Sequence, residues 1–306
     1  MNKYLFIGLD YQHCENRSID AVINIYKITE YLNKKYNVII DPDDIITDNK
    51  DKSKATRQNI LMRLYRLGLE TWSQNLKNVF IYYAGDSIDT LEYIYANNNI
   101  IKEGIVPSDY KTSGIISKEE LMQIINQFNP ATQIIFIGDC CFPSSNIFDL
   151  KYTWDVKNDS YSITNQSTRR KIMTLTYTIN KYSHRTDDNL FNVLNFNEKI
   201  YSIADYIAKL DDRNNSMFEL LQDIHHIFER KNINMIPTLS LSYLPDNNDK
   251  IFKFMEPTKI EASSFEEYKR QSYIPQMHFR PIQNNIEDMY LYIEQQPIYH
   301  IHECYC

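Results

Sequence analysis

Residues 133–141 read Gln-Ile-Ile-Phe-Ile-Gly-Asp-Cys-Cys, an apolar run that ends in one acid and two cysteines. A short run without polar interruption is typical of a strand that is buried on both faces of a parallel sheet. A second such run, residues 79–83, is followed by Ala84, Gly85 and Asp86. Functional residues of open parallel sheets collect at the carboxyl ends of the strands, so these two strand ends are the predicted site.

The apolar runs alternate with amphipathic helical patterns along most of the chain, which predicts an α/β fold. The six predicted strands are residues 4–9, 44–47, 79–83, 133–137, 172–177 and 238–241. One helix is predicted to begin near Thr56, and Ser117 with Glu120 has the spacing of a capping box, as has Ser216 with Glu219. We therefore expect a three-layer α-β-α sandwich around a mostly parallel six-stranded sheet.

The alternation of strands and helices predicts the domain limits. It covers residues 1–244, with a polar stretch at about 153–170 that is predicted to be a loop between two segments of the domain. After Pro245 the alternation is lost, so residues 245–306 are predicted to be a C-terminal extension of unknown role.

Composition excludes several function classes. The 306 residues include 33 Lys and Arg against 40 Asp and Glu, a formal charge of −7. An acidic chain without a basic block does not attract phosphates, so we expect no binding to nucleic acid or to an anionic membrane. Five cysteines, two of them adjacent, do not form a disulfide framework, and residues 1–9 are too short and too polar for a secretory signal. We expect reduced thiols and a cytoplasmic protein.

The order of several short motifs resembles that of the metacaspases, which are caspase-like cysteine peptidases. The resembling segments are Gly8–Tyr11, Ile19–Ala21, Ala55–Ile60, Glu103–Tyr110, Gly114–Ile116, Glu120–Leu121, Asp139–Cys141, Asp149–Leu150 and Pro237–Ser242. The resemblance implies that the sandwich has the caspase-like fold. It also implies a peptidase family, and therefore a hydrolase chemistry.

Within this resemblance Cys141 falls on the nucleophile position and Asp86 falls on the position of the catalytic histidine. A thiol nucleophile needs an imidazole that takes its proton and returns it to the leaving amine. An aspartate carboxyl has an ordinary pKa near 3.9, far below the value near 8.5 of a thiol, and is a poor base for that thiol. The pair predicts an impaired or inactive dyad, and Phe142, Pro143 and Ser144 also depart from the family's motif after the nucleophile.

Other interpretations of these residues remain open. Cys141 by itself is compatible with a small core residue, and Asp86 with a turn residue beside Gly85. His13 or His184 could replace the missing base if either reached the sulfur.

The resemblance also implies a pocket for an Arg or Lys side chain, formed by Asp20 and Asp139. Paired carboxylates bind a guanidinium through charge-assisted hydrogen bonds. In the alternative interpretation, Asp20 is only a favourable acid in the first turn of its helix.

Metacaspases are often calcium-activated, and the implied ligand positions fall near Lys102, Lys118, Glu119 and Asp149. Two of these four are lysines, whose ammonium groups repel a dication. We therefore expect no calcium site and no cofactor, with the lysines supplying positive charge to Asp149 instead. The alternating His and Cys residues at 300–306 are spaced too widely along a straight strand to surround one metal ion without a bend or a second chain.

Three functions follow from the sequence. The first is a pseudo-peptidase that binds a peptide or protein through an Arg or Lys residue without cutting it efficiently. The second is an active Arg/Lys-specific cysteine endopeptidase with an unusual base, and the third is a scaffold whose groove is not used. By analogy with metacaspases we expect a monomer.

Overall fold

The structure is a computed structural model. It describes residues 1–11, 20–48, 55–88, 103–142, 146–165, 168, 170–179, 202–208, 217–233 and 235–244. All of them belong to one compact unit, Met1–Pro257. The extension predicted for residues 245–306 lies outside the described residues, so its role and its boundary stay predictions.

Eleven strands occur in the described residues. They are β1 (Asn2–Gly8), β2 (Ile45–Thr47), β3 (Asn78–Ala84), β4 (Ser87–Ile88), β5 (Gly104–Ile105), β6 (Ile116–Ser117), β7 (Gln133–Cys141), β8 (Tyr152–Asp155), β9 (Ser160–Ile163), β10 (Ile172–Ile179) and β11 (Met235–Leu241). Eight of them form the central sheet in the order β2-β1-β3-β7-β10-β11-β8-β9, and β4, β5 and β6 form a small separate sheet. The five strands from β2 to β10 are parallel, and each later strand is antiparallel to its neighbour.

All six predicted strands are present in the central sheet, but the predicted strand number is wrong. The polar stretch expected to be a loop contains the hairpin β8–β9, which extends the sheet beyond β11. The hairpin is stabilised by Trp154, whose buried ring packs on Phe218 at a centroid distance of 4.9 Å. The hairpin has no clear apolar pattern in the sequence. Strand β9 is an edge strand whose side chains are mostly exposed, and such strands carry polar residues.

The helices cover both faces of the sheet. They are α1 (Ala21–Tyr36), α2 (Arg57–Ser73), α3 (Tyr110–Ser113), α4 (Lys118–Ile125), α5 (Ile203–Ile207) and α6 (Met217–Arg230), with a 3-10 helix at Pro42–Asp44. Apolar residues of α1, α5 and α6 form one core with the sheet, and those of α2 and α4 form another core on the opposite face. The predicted three-layer α-β-α sandwich is therefore confirmed.

Helix starts follow the predicted caps. The hydroxyl of Thr56 accepts the backbone N–H of Asn59 at the start of α2. Ser117 and Glu120 form both bonds of a capping box at the start of α4. Helix α6 begins at Met217, while Ser216 lies outside the described residues. These caps satisfy backbone donors that the first turn of a helix leaves unpaired.

In the parts of the chain that the structure describes, no helix combines the length and the hydropathy needed to cross a bilayer.

Candidate active site

Asp86 follows β3, and Cys141 is the last residue of the neighbouring parallel strand β7. The register of β3 and β7 pairs Ala84 with Asp139, and each candidate residue comes two positions later. Neighbouring strands lie about 4.8 Å apart. The two residues predicted to form the dyad therefore belong to the same edge of the sheet. The structure describes the backbone of Cys141 in β7, while its side chain lies outside the described atoms.

The backbone of Asp86 is held on both sides by buried tyrosine hydroxyls. The Tyr11 hydroxyl accepts the Asp86 N–H at 2.9 Å, and the Tyr83 hydroxyl donates to the Asp86 carbonyl at 2.6 Å. The same carbonyl accepts the N–H of Val106 at 3.1 Å, which connects this loop to the end of β5. Asp86 is half-buried.

A glycine is required beside these hydroxyls. A Cβ atom at Gly85 would lie 2.7 Å from the Tyr83 hydroxyl oxygen and 3.1 Å from that of Tyr11. Contacts this short would push both phenols out of hydrogen-bonding position. The glycine next to Asp86 thus allows the backbone to approach the tyrosines closely.

Strand β7 is irregular where it carries the candidate nucleophile. Its pairing with β10 shifts between Ile137 and Cys141, so the strand contains a bulge at residues 138–140. Bulges of this kind redirect side chains next to functional sites. The residue after Cys141, Phe142, is fully buried and packs edge-on against Phe136. Its backbone N–H donates to the Tyr177 carbonyl at 2.8 Å. Phe142 is therefore a core residue.

Asp139 is buried and fully engaged inside the protein. One carboxylate oxygen accepts the N–H of Ile203 at 2.8 Å, and the other accepts the Tyr82 hydroxyl and the Ala204 N–H at 3.4 Å. Asp139 therefore binds two backbone N–H groups in the first turn of α5, where the helix dipole favours a negative charge. Burial raises its pKa to about 6, against the opposing effect of these hydrogen bonds.

Asp20 has a different environment. It occupies the N-cap position of α1, is exposed, and makes no capping bond through its side chain. Instead, the carboxylate of Asp10 accepts the N–H of Val22 in the first turn of α1 at 3.1 Å. Burial raises the pKa of Asp10, and the charges of Asp48 and Asp20 raise it further. Of the two acids predicted to hold a basic side chain, one is exposed and the other is occupied by helix α5.

Lys118 lies between two acids near the implied calcium positions. Its ammonium group is 2.8 Å from an oxygen of Asp149 and 3.9 Å from an oxygen of Glu103. The expectation that a lysine supplies positive charge to Asp149 is confirmed for Lys118. Lys102 lies outside the described residues, and Glu119 follows Lys118 in the first turn of α4.

Several predicted site residues lie outside the described residues. They are His13, His184, Pro143 and Ser144. The proposal that His13 or His184 replaces the missing base stays a prediction.

Sequence reasoning missed the residues that hold the backbone at the candidate site through hydrogen bonds. Asp48, Tyr11 and Tyr83 bind backbone groups at the ends of β1 and β3, and their roles depend on contacts between distant segments. The available signal was weak: a tyrosine near the end of each strand, two residues before Gly85 in the case of Tyr83.

Comparisons with known proteins agree with this geometry. Residues 2–151 match the family model described as metacaspase, peptidase C14 domain. Metacaspase-1 of Plasmodium berghei is 25% identical over 245 residues, which cover 75% of this chain and 40% of that protein. Metacaspase-1A of Aspergillus terreus is 25% identical over 158 residues, which cover 51% of this chain and 38% of that protein. The chain thus spans about two fifths of the length of these relatives.

Solved structures of similar shape are more distant. A protein from Geobacter sulfurreducens has a TM-score of 0.49 and 10% identity, with 80% of this chain and 94% of that chain covered. The Drosophila initiator caspase Dronc has a TM-score of 0.38 and 9% identity, with 81% of each chain covered. The matched family model spans β1, β3 and β7, the strands that carry both candidate dyad positions. Residues 2–151 of the chain are therefore metacaspase-like, being similar to the peptidase C14 domain of that family.

Proposed function

We propose that this protein is a pseudo-peptidase, which binds a peptide or protein through an Arg or Lys residue and does not cut it efficiently. One observation carries the proposal: an aspartate, Asp86, follows the strand next to the one that ends in Cys141. At that position a cysteine peptidase needs a side chain that takes the proton of the thiol and returns it to the leaving amine.

The chemistry of the missing step supports the proposal. Attack on a peptide carbonyl requires a thiolate, and expulsion of the amine requires a proton donor. An ionised carboxylate has no proton to donate at neutral pH, and its negative charge disfavours a neighbouring thiolate. Cys141 is left without an imidazole partner at this position, and both half-reactions become slow.

Two backbone N–H groups near the site already donate hydrogen bonds within the protein. The N–H of Asp86 is bonded to Tyr11, and the N–H of Phe142 is bonded to the Tyr177 carbonyl. Backbone N–H groups that point into a cleft stabilise the oxyanion of the tetrahedral intermediate, and their loss costs roughly 100- to 1,000-fold in rate. The internal bonds of these two amides are consistent with weak oxyanion stabilisation.

Recognition of a basic side chain is assigned to Asp20 and Asp139. Asp20 is exposed and makes no capping bond. The Asp139 carboxylate already accepts bonds from three groups, so its contribution is a fixed negative charge behind the pocket rather than a free ligand. A guanidinium would therefore make its direct contacts with Asp20.

Calcium independence is part of the proposal. The Lys118 ammonium pairs with Asp149 and approaches Glu103, so a positive charge already neutralises these acids. A dication entering between them would be repelled by a fixed ammonium and would lack oxygen ligands. Cys140 is a buried cysteine in its thiol form, which fits the reducing cytoplasm that the cysteine pattern predicts.

Hydrolysis of an Arg-ended fluorogenic peptide tests the proposal in four proteins: wild type, Cys141→Ala, Asp86→His, and the double variant. We expect wild type to match Cys141→Ala, and Asp86→His to gain hydrolysis that the double variant lacks. Wild-type turnover at the rate of a cysteine protease, abolished by Cys141→Ala, would establish the active endopeptidase instead. Binding of the same peptide is measured by calorimetry on wild type, and no binding would contradict the proposal.

An exposed apolar stripe on α2 favours the scaffold as a second candidate function. Tyr65, Leu69 and Trp72 are 41%, 40% and 47% exposed and recur at i, i+4 and i+7 on one helix face. Surface patches of large apolar residues are common at protein–protein contacts. Two results together would support this function. The wild type would bind no Arg peptide, and Leu69→Lys would lose the binding of a partner protein that the wild type binds.

A further inference from the structure

A buried carboxylate connects the ends of β1 and β2. Asp48, directly after β2, accepts the N–H of Asp10 at 2.9 Å and the N–H of Tyr11 at 2.5 Å. These two bonds stabilise Tyr11 in a left-handed backbone conformation with φ of 52°. A bulky residue with positive φ is strained, and such strain persists only where surrounding contacts enforce it.

The conformation of Tyr11 directs its side chain across to the end of β3. Its hydroxyl donates to the Val106 carbonyl at 2.6 Å and accepts the N–H of Asp86 at 2.9 Å. Both capacities of the phenol are thereby used, one as donor and one as acceptor. Tyr11 is 2% exposed, so water does not compete for these bonds.

The Tyr83 hydroxyl makes a second pair of hydrogen bonds to the backbone of Asp86 and Val106. Its hydroxyl donates to the Asp86 carbonyl at 2.6 Å and accepts the N–H of Val106 at 3.3 Å. Burial raises the pKa of both phenols well above the ordinary value, and the nearby Asp86 charge raises it further. Both hydroxyls therefore keep their protons and remain donors at neutral pH.

We infer that Asp48, Tyr11 and Tyr83 are positioning residues that fix the backbone of residue 86 in the active-site cleft, whatever side chain that residue carries. The inference rests on the proposed function only in assigning residue 86 to the site. Its N–H and its carbonyl are each bonded to a different buried phenol. Internal bonds therefore set the backbone position of residue 86 independently of its side chain.

Amide hydrogen exchange tests the backbone part of the inference. In Tyr11→Phe the Asp86 N–H loses its acceptor, and we expect its exchange to accelerate by about tenfold or more. The N–H of Leu9, bonded to the Ala84 carbonyl at 3.0 Å, should keep its rate. The matched control is Tyr82→Phe, because Tyr82 neighbours Tyr83 in the same strand and donates to Asp139 instead. Equal exchange at Asp86 in wild type and Tyr11→Phe would overturn the inference.

A spectroscopic measurement separates positioning from general stability. In Asp86→His, the titration of the introduced imidazole is followed by NMR with and without Tyr11→Phe. We expect the second change to move the imidazole pKa toward its ordinary value near 6.5 and to broaden its resonances. A lower stability alone would leave the titration of the folded protein unchanged, so an unchanged titration contradicts a positioning role.

The outcomes distinguish this inference from the proposed function. If Asp86→His stays inactive while the exchange and titration changes appear, the account of the lost activity fails and the positioning role stands. If Asp86→His is active and Tyr11→Phe alters neither readout, the reverse holds. Should Tyr11→Phe fail to fold, Asp48→Asn and Tyr83→Phe are measured in the same way. We expect faster exchange at Asp86 in Asp48→Asn, which weakens the hold on Tyr11, and faster exchange at Val106 in Tyr83→Phe, because the Tyr83 hydroxyl accepts the Val106 N–H.

Discussion

The carboxylate of Asp139 accepts the backbone N–H of Ile203 at 2.8 Å, across 64 residues of sequence. This bond joins the end of β7, next to the candidate nucleophile, to the first turn of α5. The carboxylate also accepts the Tyr82 hydroxyl. An acid that resembles a substrate ligand in sequence therefore has a structural role, because it binds unpaired backbone donors in the first turn of a helix.

Stability should depend on pH through Asp139. Its pKa rises from 3.8 to about 6 in the folded protein because the carboxyl is buried. The folded state then binds the proton more tightly than the unfolded chain, and the free energy of unfolding rises as the pH falls from above 6 towards 4. The full shift corresponds to about 3 kcal/mol. Urea unfolding of wild type and Asp139→Asn at pH 7.5, 6 and 5 measures it. A wild-type advantage that does not grow at low pH would contradict the prediction.

Binding of an Arg peptide should depend mainly on Asp20. We expect Asp20→Asn to weaken the affinity by about tenfold, because a charge-assisted bond is lost. Glu30→Gln is the matched control, since Glu30 is an exposed acid of the same helix that pairs with Lys34. Calorimetry measures both variants at pH 7.5. A peptide with norleucine in place of Arg that binds as well as the Arg peptide would refute the acidic pocket.

Calcium should not stabilise the wild-type protein. Lys118 neutralises Asp149 and Glu103, so millimolar calcium and magnesium should give the same melting temperature. Lys118→Glu places an additional carboxylate beside these acids, and we expect its melting temperature to rise with calcium. Lys118→Gln, which adds no charge, is the control. A calcium-specific rise in wild type would show that the ammonium does not exclude the ion.

Trypsin should not cut after Arg170 in the folded protein. The guanidinium of Arg170 donates to the carbonyls of Asn126 and Phe128 at the end of α4, and its own carbonyl accepts the Ser242 hydroxyl at 2.5 Å. Trypsin must bind the Arg170 side chain and the neighbouring backbone as an extended segment in its active site. This requires local unfolding that breaks these bonds. Lys157, exposed in the turn between β8 and β9, is the internal control and should be cut earlier. Mass spectrometry of short digests identifies the order, and early cleavage at Arg170 would contradict it.

Gly138 should be intolerant of a side chain because Phe142 packs over it. A Cβ atom at Gly138 would lie 2.3 Å from the Cε2 atom of Phe142. We expect Gly138→Ala to destabilise the protein by about 1–3 kcal/mol through overpacking. Phe142→Leu in the same chain should recover part of the loss, because the two residues are in contact. Additive losses in the double variant, measured by urea unfolding, would argue against this contact.

Much of the site could be predicted from local patterns. The runs at 133–141 and 79–83 are apolar enough to be buried strands, and parallel strands in a sheet end at the same edge. That rule alone predicts that Asp86 and Cys141 belong to one edge, as the register of β3 and β7 shows. The hairpin β8–β9 escaped prediction because an exposed edge strand has no strong apolar pattern.

The sequence by itself determined the order of strands and helices, the capping box at Ser117, and the presence of Asp86 just after an apolar strand, because each depends on residues that are close in the chain. Only the tertiary structure decided that Asp139 binds the first turn of α5, that Lys118 pairs with Asp149, and that Tyr11 holds residue 86. These contacts join segments about 30 to 75 residues apart. A polar side chain can reach several partners in an unfolded chain, and the packing of the sheet selects one of them.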